Sequence, residues 1–204
     1  MKIRTTLIAV IALVIFTFIA CDKDKDEDKK KNSFKYNNKE AEIGPAFGFQ
    51  EGETEIAGVY GITMIMFEKT LTLNYEDEVP ESLSGKGDVL LVTFLTDKID
   101  ELPSGEYNLN SSTANSKAFT IDSDESAILV DVVSFDLRPS GFVEFLSGKT
   151  TVAKNGNEYE ISLNVNTTVN STITAYYKGT PIIYSELKKK TVQHNAWSTL
   201  KFVP

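Results

Sequence analysis

The sequence is almost without cysteine and histidine. Of its 204 residues, one is cysteine (Cys21) and one is histidine (His194). One cysteine excludes disulfides within the chain and zinc sites built from several thiolates. One histidine excludes zinc and haem sites that need two imidazoles. Because the chain also has no Gly-x-Ser-x-Gly or phosphate-loop motif, the sequence predicts no metal centre, no cofactor and no catalytic residue.

The chain is also short of positive charge. Its 21 Lys and Arg residues face 29 Asp and Glu residues, which gives a formal net charge of -8. Residues 1–20 contain Lys2 and Arg4 and no acid, so removing them makes the net charge two units more negative. Such a chain repels phosphate backbones, and we therefore expect no nucleic acid among its partners.

The one long apolar run lies at the N-terminus. Lys2 and Arg4 precede Leu7–Ala20, a run of 14 residues that are almost all apolar. This is the length of a signal-peptide core, and it is shorter than the roughly 20 residues of a membrane-spanning helix. The sequence therefore predicts a signal peptide over residues 1–20, cleaved between Ala20 and Cys21. An uncleaved N-terminal membrane anchor is the alternative.

The segment Phe18-Ile-Ala-Cys21 resembles the lipobox of bacterial lipoproteins. The match lies at Ala20 and Cys21, while Phe18 stands where the family usually has leucine. In that family the cysteine thiol carries a diacylglycerol, and its amino group receives a fatty acid after cleavage. The resemblance implies that Cys21 is lipidated and holds the mature chain on a membrane, since two or more acyl chains give stable anchoring.

Residues 22–31 contain five acids, five bases and no apolar residue. Such a segment cannot bury apolar surface, so we expect residues 21–32 to form a lipidated cysteine followed by a disordered tether. The acids that follow Cys21 also resemble the export signal of Bacteroidetes-type lipoproteins, from which the interleaved lysines depart. This resemblance implies that the protein is exposed on the surface of the cell outer membrane.

Residues 33–204 are predicted to form one β-rich domain. Glu158–Asn166 alternates apolar and polar residues, which is typical of a half-buried strand, and Asn155-Gly-Asn157 before it favours a hairpin turn. Val89–Leu95 and Ile128–Phe135 are apolar on both faces and predict central strands covered on each side. We expect an all-β fold, an antiparallel β-sandwich of about eight to ten strands. A lipocalin-like β-barrel is the alternative.

The body is similar to a broad group of Bacteroidetes lipoproteins. The resemblance lies in the turn Phe34-Lys-Tyr-Asn-Asn38, in Leu102-Pro-Ser-Gly-Glu-Tyr107, and in the Tyr-rich meander from Asn155 to Gly179. These motifs consist mostly of turn residues. The resemblance implies a sandwich-like exported domain and indicates no particular activity.

Exposed aromatic residues on a sheet can stack on sugar rings, and three such residues occur late in the chain: Tyr176, Tyr177 and Trp197. Packing in the core is the alternative for them. Two acidic clusters, Asp122-Ser-Asp-Glu125 and Glu76-Asp-Glu78, have the oxygen ligands that Ca²⁺ prefers, or form ordinary acidic loops.

From these features we expect a lipid-anchored, non-enzymatic binding or interaction module with a glycan or protein ligand. Its membrane contact would be the lipid on Cys21. Two alternatives stay open. One is a glycan-active enzyme that uses a pair of carboxylates. The other is a lipocalin-like carrier of a small apolar ligand.

Overall fold

Alternation of apolar and polar residues produces strands along the whole described chain. The computed structural model describes residues 30–76, 79–110, 117–133 and 141–185, without the side chains of 75, 76, 79–82, 110 and 185. Ala20, Cys21, His194 and Trp197 lie outside these ranges, as do the predicted signal peptide and most of the predicted tether.

Twelve strands occur in the described ranges, and no helix does, which confirms the all-β prediction. None of these ranges therefore contains a helix that could cross a membrane. The strands are β1 Ser33–Tyr36, β2 Lys39–Glu53, β3 Tyr60–Glu68, β4 Thr72–Glu76, β5 Val79–Ser84, β6 Gly87–Thr96, β7 Gly105–Asn110, β8 Thr120–Val132, β9 Gly141–Asn155, β10 Glu158–Thr167, β11 Thr172–Gly179 and β12 Ile182–Ser185.

Nine of these strands form a closed barrel. The hydrogen-bonded order is β1-β11-β10-β9-β7-β8-β6-β3-β2, and β1 also pairs with β2, which joins the two ends of the sheet. The barrel alternative therefore describes the fold better than the preferred sandwich. The reason is the double pairing of β1, because a sandwich would leave these two sheet edges apart.

The odd number of strands makes the barrel mixed. Neighbouring strands in a closed ring can all be antiparallel only if their number is even. Accordingly, β7 pairs with β8 in parallel, whereas the other neighbours in the ring are antiparallel. β7 separates β8 from β9 at one end of the barrel, and these two strands pair directly at the other end.

The predicted turns are present. Asn37 and Asn38 both have positive φ, as a two-residue hairpin turn between β1 and β2 requires. Gly156, with φ of 60°, forms the turn between β9 and β10. In the Leu102–Tyr107 motif, the Tyr107 hydroxyl donates a hydrogen bond of 2.9 Å to the Pro103 carbonyl. These motifs therefore have structural roles.

The barrel interior is a packed core. Its largest side chains are at most 1 % exposed and come from strands all around the ring, namely Phe34, Met64, Met66, Phe94 and Tyr107. The Phe94 and Tyr107 rings meet edge to face, with centroids 5.0 Å apart. Close packing of this kind stabilises the fold and occupies the lumen.

A second apolar core lies on the outer face of β2, β3, β6 and β8. The β4–β5 hairpin contributes Leu73 and Leu83 to this outer core, and Tyr184 of β12 packs against it. All ten residues of β6 are buried as a result, as its two-sided apolar pattern predicts. The sequence did not predict β5 or β12, both of which are short.

Candidate functional site

An acidic cleft of about 550 Å³ opens on the outer wall of the barrel, beside the outer core. Its walls are the end of β2 with the β2–β3 loop, the end of β6 and the first part of β8. The residues that line it are Glu51, Gly52, Glu53, Thr54, Glu55, Ile56, Leu95, Asp122 and Glu125.

Two β-bulges face each other across this cleft. In β2, the register to β3 shifts between Gln50 and Gly52, and Glu51 lies in the shift. In β8, the residues between Asp122 and Ala127 bulge out opposite the β6 segment from Leu91 to Thr93. Bulges bend a strand and change the direction of its side chains, which is why both Glu51 and Glu125 reach into the cleft.

Two threonines form the floor between the bulges. Thr63 of β3 and Thr93 of β6 are directly opposite in register, and their hydroxyl oxygens are 2.6 Å apart. The Thr63 hydroxyl donates to Glu51 Oε1. The Thr93 hydroxyl also lies 3.1 Å from the carbonyl oxygen of Glu125. Because Thr63 already donates to Glu51, the single hydrogen of the Thr93 hydroxyl goes either to Thr63 or to the Glu125 carbonyl.

Glu51 and Glu125 both line the cleft, Glu51 from the β2 bulge and Glu125 from the β8 bulge. Although the Glu125 side chain is exposed, desolvation, followed by the charge of Glu51 and hydrogen bonding to it, raises the pKa of Glu125 to about 8. The acidic surroundings therefore favour the protonated form of Glu125.

Asp122 adds a further carboxyl to the same wall. Burial raises the pKa of Asp122, and the backbone N–H of Asp124, which donates to Asp122 Oδ1 over 3.0 Å, opposes that rise only in part. Glu125 and Asp122 are therefore both harder to ionise than ordinary surface acids.

The β2–β3 loop that forms the opposite wall is ordered by its own hydrogen bonds. The backbone N–H of Gly58 donates to Glu53 Oε1 over 2.7 Å, and that of Thr54 donates to the Val59 carbonyl over 2.8 Å. The Thr54 hydroxyl accepts from the backbone N–H of Ile56 over 3.1 Å. The cleft is therefore largely preformed, as ligand sites usually are.

The cleft has one sign of charge. Among the described residues that line it, five are acidic and none is basic. Throughout the described ranges, no three His, Cys, Asp or Glu side chains are arranged to hold a metal ion together. The cleft therefore favours neutral or positively charged groups and disfavours anions.

A second carboxylate pair lies on β3 and β6, at the end of these strands away from Thr63 and Thr93. Glu68 of β3 and Asp88 of β6 occupy positions on the side of the sheet that faces the barrel interior. Lys39 Nζ lies 2.9 Å from Glu68 Oε2 and 2.9 Å from Asp88 Oδ2. Partial burial lowers the pKa of Lys39, but its hydrogen bonds to the two carboxylates outweigh this and raise the pKa overall.

The Asp88 carboxylate is nearly inaccessible, with 3 % of its side chain exposed. It also accepts a hydrogen bond of 3.0 Å from the backbone N–H of Asp131, and Glu68 Oε2 accepts one of 2.8 Å from the backbone N–H of Asp88. This second pair therefore has a permanent cation and a full set of donors, and its role is structural.

Two of the predicted aromatic site residues, Tyr176 and Tyr177, lie on β11, away from the cleft. Tyr177 faces the barrel interior and is 6 % exposed. Tyr176 lies on the outer face of β11 near Glu160 and Lys178, and desolvation followed by the Glu160 charge raises its pKa. Trp197, Ala20 and Cys21 lie outside the described residues, as does most of the acidic cluster Glu76-Asp-Glu78.

The predicted acidic cluster at Asp122–Glu125 forms one wall of the cleft, but the sequence did not indicate its partners. Glu51, Thr63 and Thr93 belong to three other strands. A signal did exist, because Thr63 and Thr93 are polar residues within otherwise apolar runs. It becomes informative only when the pairing of β3 with β6 is known.

Comparison with protein-family models, with curated proteins and with solved structures finds no match for this chain.

Proposed function

We propose that the protein is a lipid-anchored, non-enzymatic binding module of the bacterial cell envelope, and that the acidic cleft takes a positively charged ligand. The proposed localisation rests on the signal peptide pattern and on the lipobox-like residues Ala20 and Cys21. Lipid on Cys21 would hold the body on the outer membrane, exposed at the surface.

The observation that carries the ligand class is the lining of the cleft. Its volume of about 550 Å³ lies within the range of small-molecule sites. Its carboxylates come from two separate strands and the loop between β2 and β3, and no basic side chain is among its lining residues. An amine, or a basic side chain of a partner protein, complements this surface.

One further observation favours binding in the cleft over a carrier function. A lipocalin-like carrier needs an open lumen, whereas large side chains such as Phe94 and Tyr107 occupy the interior of this barrel.

The ligand class can be tested by calorimetry on the full chain in detergent. We expect spermidine to bind more tightly than a neutral oligosaccharide, and citrate not to bind. The double variant Glu51→Gln/Glu125→Gln should lose spermidine binding. Its control is Glu106→Gln, which changes a surface carboxylate paired with Lys149 over 2.7 Å. No spermidine binding, or equal loss in the control, would overturn the proposed ligand class.

The proposed localisation can be tested separately. The variant Cys21→Ser should leave the membrane fraction when cells are separated into membrane and soluble material. Protease added to intact cells should degrade the wild-type body. Retention of the variant on membranes would contradict lipid anchoring, and full protection of the body would contradict surface exposure.

A further inference from the structure

Two strands share one edge of β2. β1 pairs with the first part of this edge, from Lys39 to Glu42, and β12 pairs with a later part, from Phe47 to Gln50. A strand edge presents a row of N–H and C=O groups and readily accepts another strand. Among the described strands, β12 alone covers the Phe47–Gln50 part of this edge.

β12 is a short strand that is paired on one side. It has four residues and follows β11 after only Thr180 and Pro181. Within the described ranges it pairs only with β2, in parallel, whereas every strand of the barrel has a neighbour on each side. Its first residue, Ile182, is 54 % exposed. β12 can therefore leave the sheet without opening the barrel.

The β2 edge has a slot for one aliphatic side chain, followed by an aromatic surface. A β-carbon at Gly48 would lie 2.9 Å from Ile183 Cγ1 and 3.1 Å from Met64 Sδ, so the glycine makes room for the Ile183 side chain. The Tyr184 ring stacks on Phe49, with centroids 5.5 Å apart. Successive residues of the added strand thus meet different surfaces, as in sites that recognise peptides by strand addition.

The third position of this edge is polar and unsatisfied. Gln50 follows Gly48 on the same face of β2 and pairs in register with Ser185. Its side chain is 3 % exposed, and neither Oε1 nor Nε2 has a hydrogen-bond partner among the described residues. A buried amide without partners destabilises the state that contains it. β12 therefore fills two positions of the site and leaves the third without hydrogen bonds.

We propose that this part of the β2 edge is a strand-addition site for an extended segment of a partner protein, which replaces β12. The segment runs parallel to β2, with an aliphatic residue at the Gly48 slot, an aromatic residue against Phe49 and a side-chain carboxamide opposite Gln50. A carboxamide both donates and accepts, so it can bond both atoms of the Gln50 amide. A second copy of the chain would offer the same β12 and gain nothing. The inference does not depend on the acidic cleft.

Three forms of the full chain in detergent test whether β12 and a peptide compete. The double variant Gly48→Cys/Ile183→Cys joins two register partners, whose spacing suits a disulfide, and locks β12 when oxidised. Ile183→Asp loosens β12 by placing a charge at the apolar slot. Fluorescence anisotropy measures binding of a labelled peptide of residues 181–186. We expect the affinity to rise from the locked form through the wild type to the loosened form, and the locked form to regain binding on reduction.

The polar position is tested with the same peptide carrying the change Ser185→Asn. In the loosened form this peptide should bind about fivefold more tightly than the unchanged one, because it can bond Gln50. The preference should disappear when Gln50→Leu is added and remain when Glu106→Gln is added. Tyr184→Ala, which removes the ring stacked on Phe49, is a second loosened form. Circular dichroism checks that each variant is folded.

Two results from the peptides would overturn the inference. One is equal binding, or none, in the locked and loosened forms. The other is equal affinity of the loosened form for the two peptides. Sedimentation supplies a third result: wild-type dimers that the oxidised double variant does not form would assign this edge to a second copy of the chain, and the partner protein would be wrong.

Discussion

Two pairs of acids lie at opposite ends of the sheet formed by β2, β3, β6 and β8, and their surroundings differ. Glu68 of β3 and Asp88 of β6 share the ammonium of Lys39. Glu51 of β2 and Glu125 of β8 line the acidic cleft, where desolvation and the charge of Glu51 raise the pKa of Glu125 to about 8. A lysine of the chain itself is always present, whereas a proton on Glu125 depends on pH. The difference shows that one sheet can compensate one pair of carboxyl groups with a fixed charge and leave a carboxyl group of another pair to titrate.

The largest expected effect comes from removing the internal cation. Lys39→Met would leave the buried Asp88 carboxylate and its neighbour Glu68 without a positive partner. An uncompensated buried charge destabilises a protein by about 3 kcal/mol or more. Urea unfolding monitored by far-UV circular dichroism measures the loss in the free energy of unfolding.

The control for this variant is Lys69→Met, which removes an ion pair with Glu42 in which both side chains are about half exposed. Exposed pairs of this kind contribute less than about 1 kcal/mol. If both variants lose the same stability, the Lys39 bridge is not the structural element that we describe.

A smaller effect is expected from the floor of the cleft. Thr63→Val keeps the shape of the side chain but removes the hydroxyl that donates to Glu51. Loss of one hydrogen bond to a charged group should cost about 1–2 kcal/mol in the free energy of unfolding at pH 7. Thr174→Val, at an exposed position of β11, should change stability by less than about 0.5 kcal/mol. Equal values for the two variants would argue against the hydroxyl network.

The last effect concerns the pH dependence of stability, and we rank it below the others because the Glu125 side chain is exposed and solvent screens its interactions. The pKa of Glu125 rises from 4.5 in the unfolded chain to about 8 in the fold, so between these values the folded chain binds more protons than the unfolded one. This group therefore makes stability decrease as the pH rises from 4.5 to 8, and adds no further change above pH 8.

Glu125→Gln should remove this contribution, and the melting temperature of the variant should fall less than that of the wild type between pH 5 and pH 8. Glu106→Gln serves as the matched control and should keep the wild-type slope. A variant slope identical to that of the wild type would show that the proton is not held at Glu125.

Much of the fold could be predicted from local patterns. Alternation at Glu158–Asn166, the two-sided apolar pattern of β6 and the Asn-rich turns all have local causes, and the structure confirms them. The closure of the barrel could not be predicted in the same way. It depends on β1, three residues of which pair with β11 across most of the domain, and a strand of four alternating residues does not specify its partners.

Less of the candidate site than of the fold could be predicted from the sequence. The acids of Asp122–Glu125 were visible as a cluster, but their meaning depends on Glu51, which a bulge in β2 brings toward them. A bulge shifts the register by one residue and leaves little trace in the pattern of apolar residues. Lys39 likewise lies in a polar turn region of the sequence, where nothing indicates that it bridges Glu68 and Asp88.

The double pairing of β1 has a consequence for how the chain folds. This strand is hydrogen-bonded to β2, its neighbour in sequence, and to β11, which is among the last strands of the domain. The barrel therefore cannot close until almost the whole domain is available. Folds that depend on such distant contacts form slowly, and their unpaired strand edges are open to aggregation in the meantime. The first strand of the domain to be synthesised therefore waits longest for its second partner.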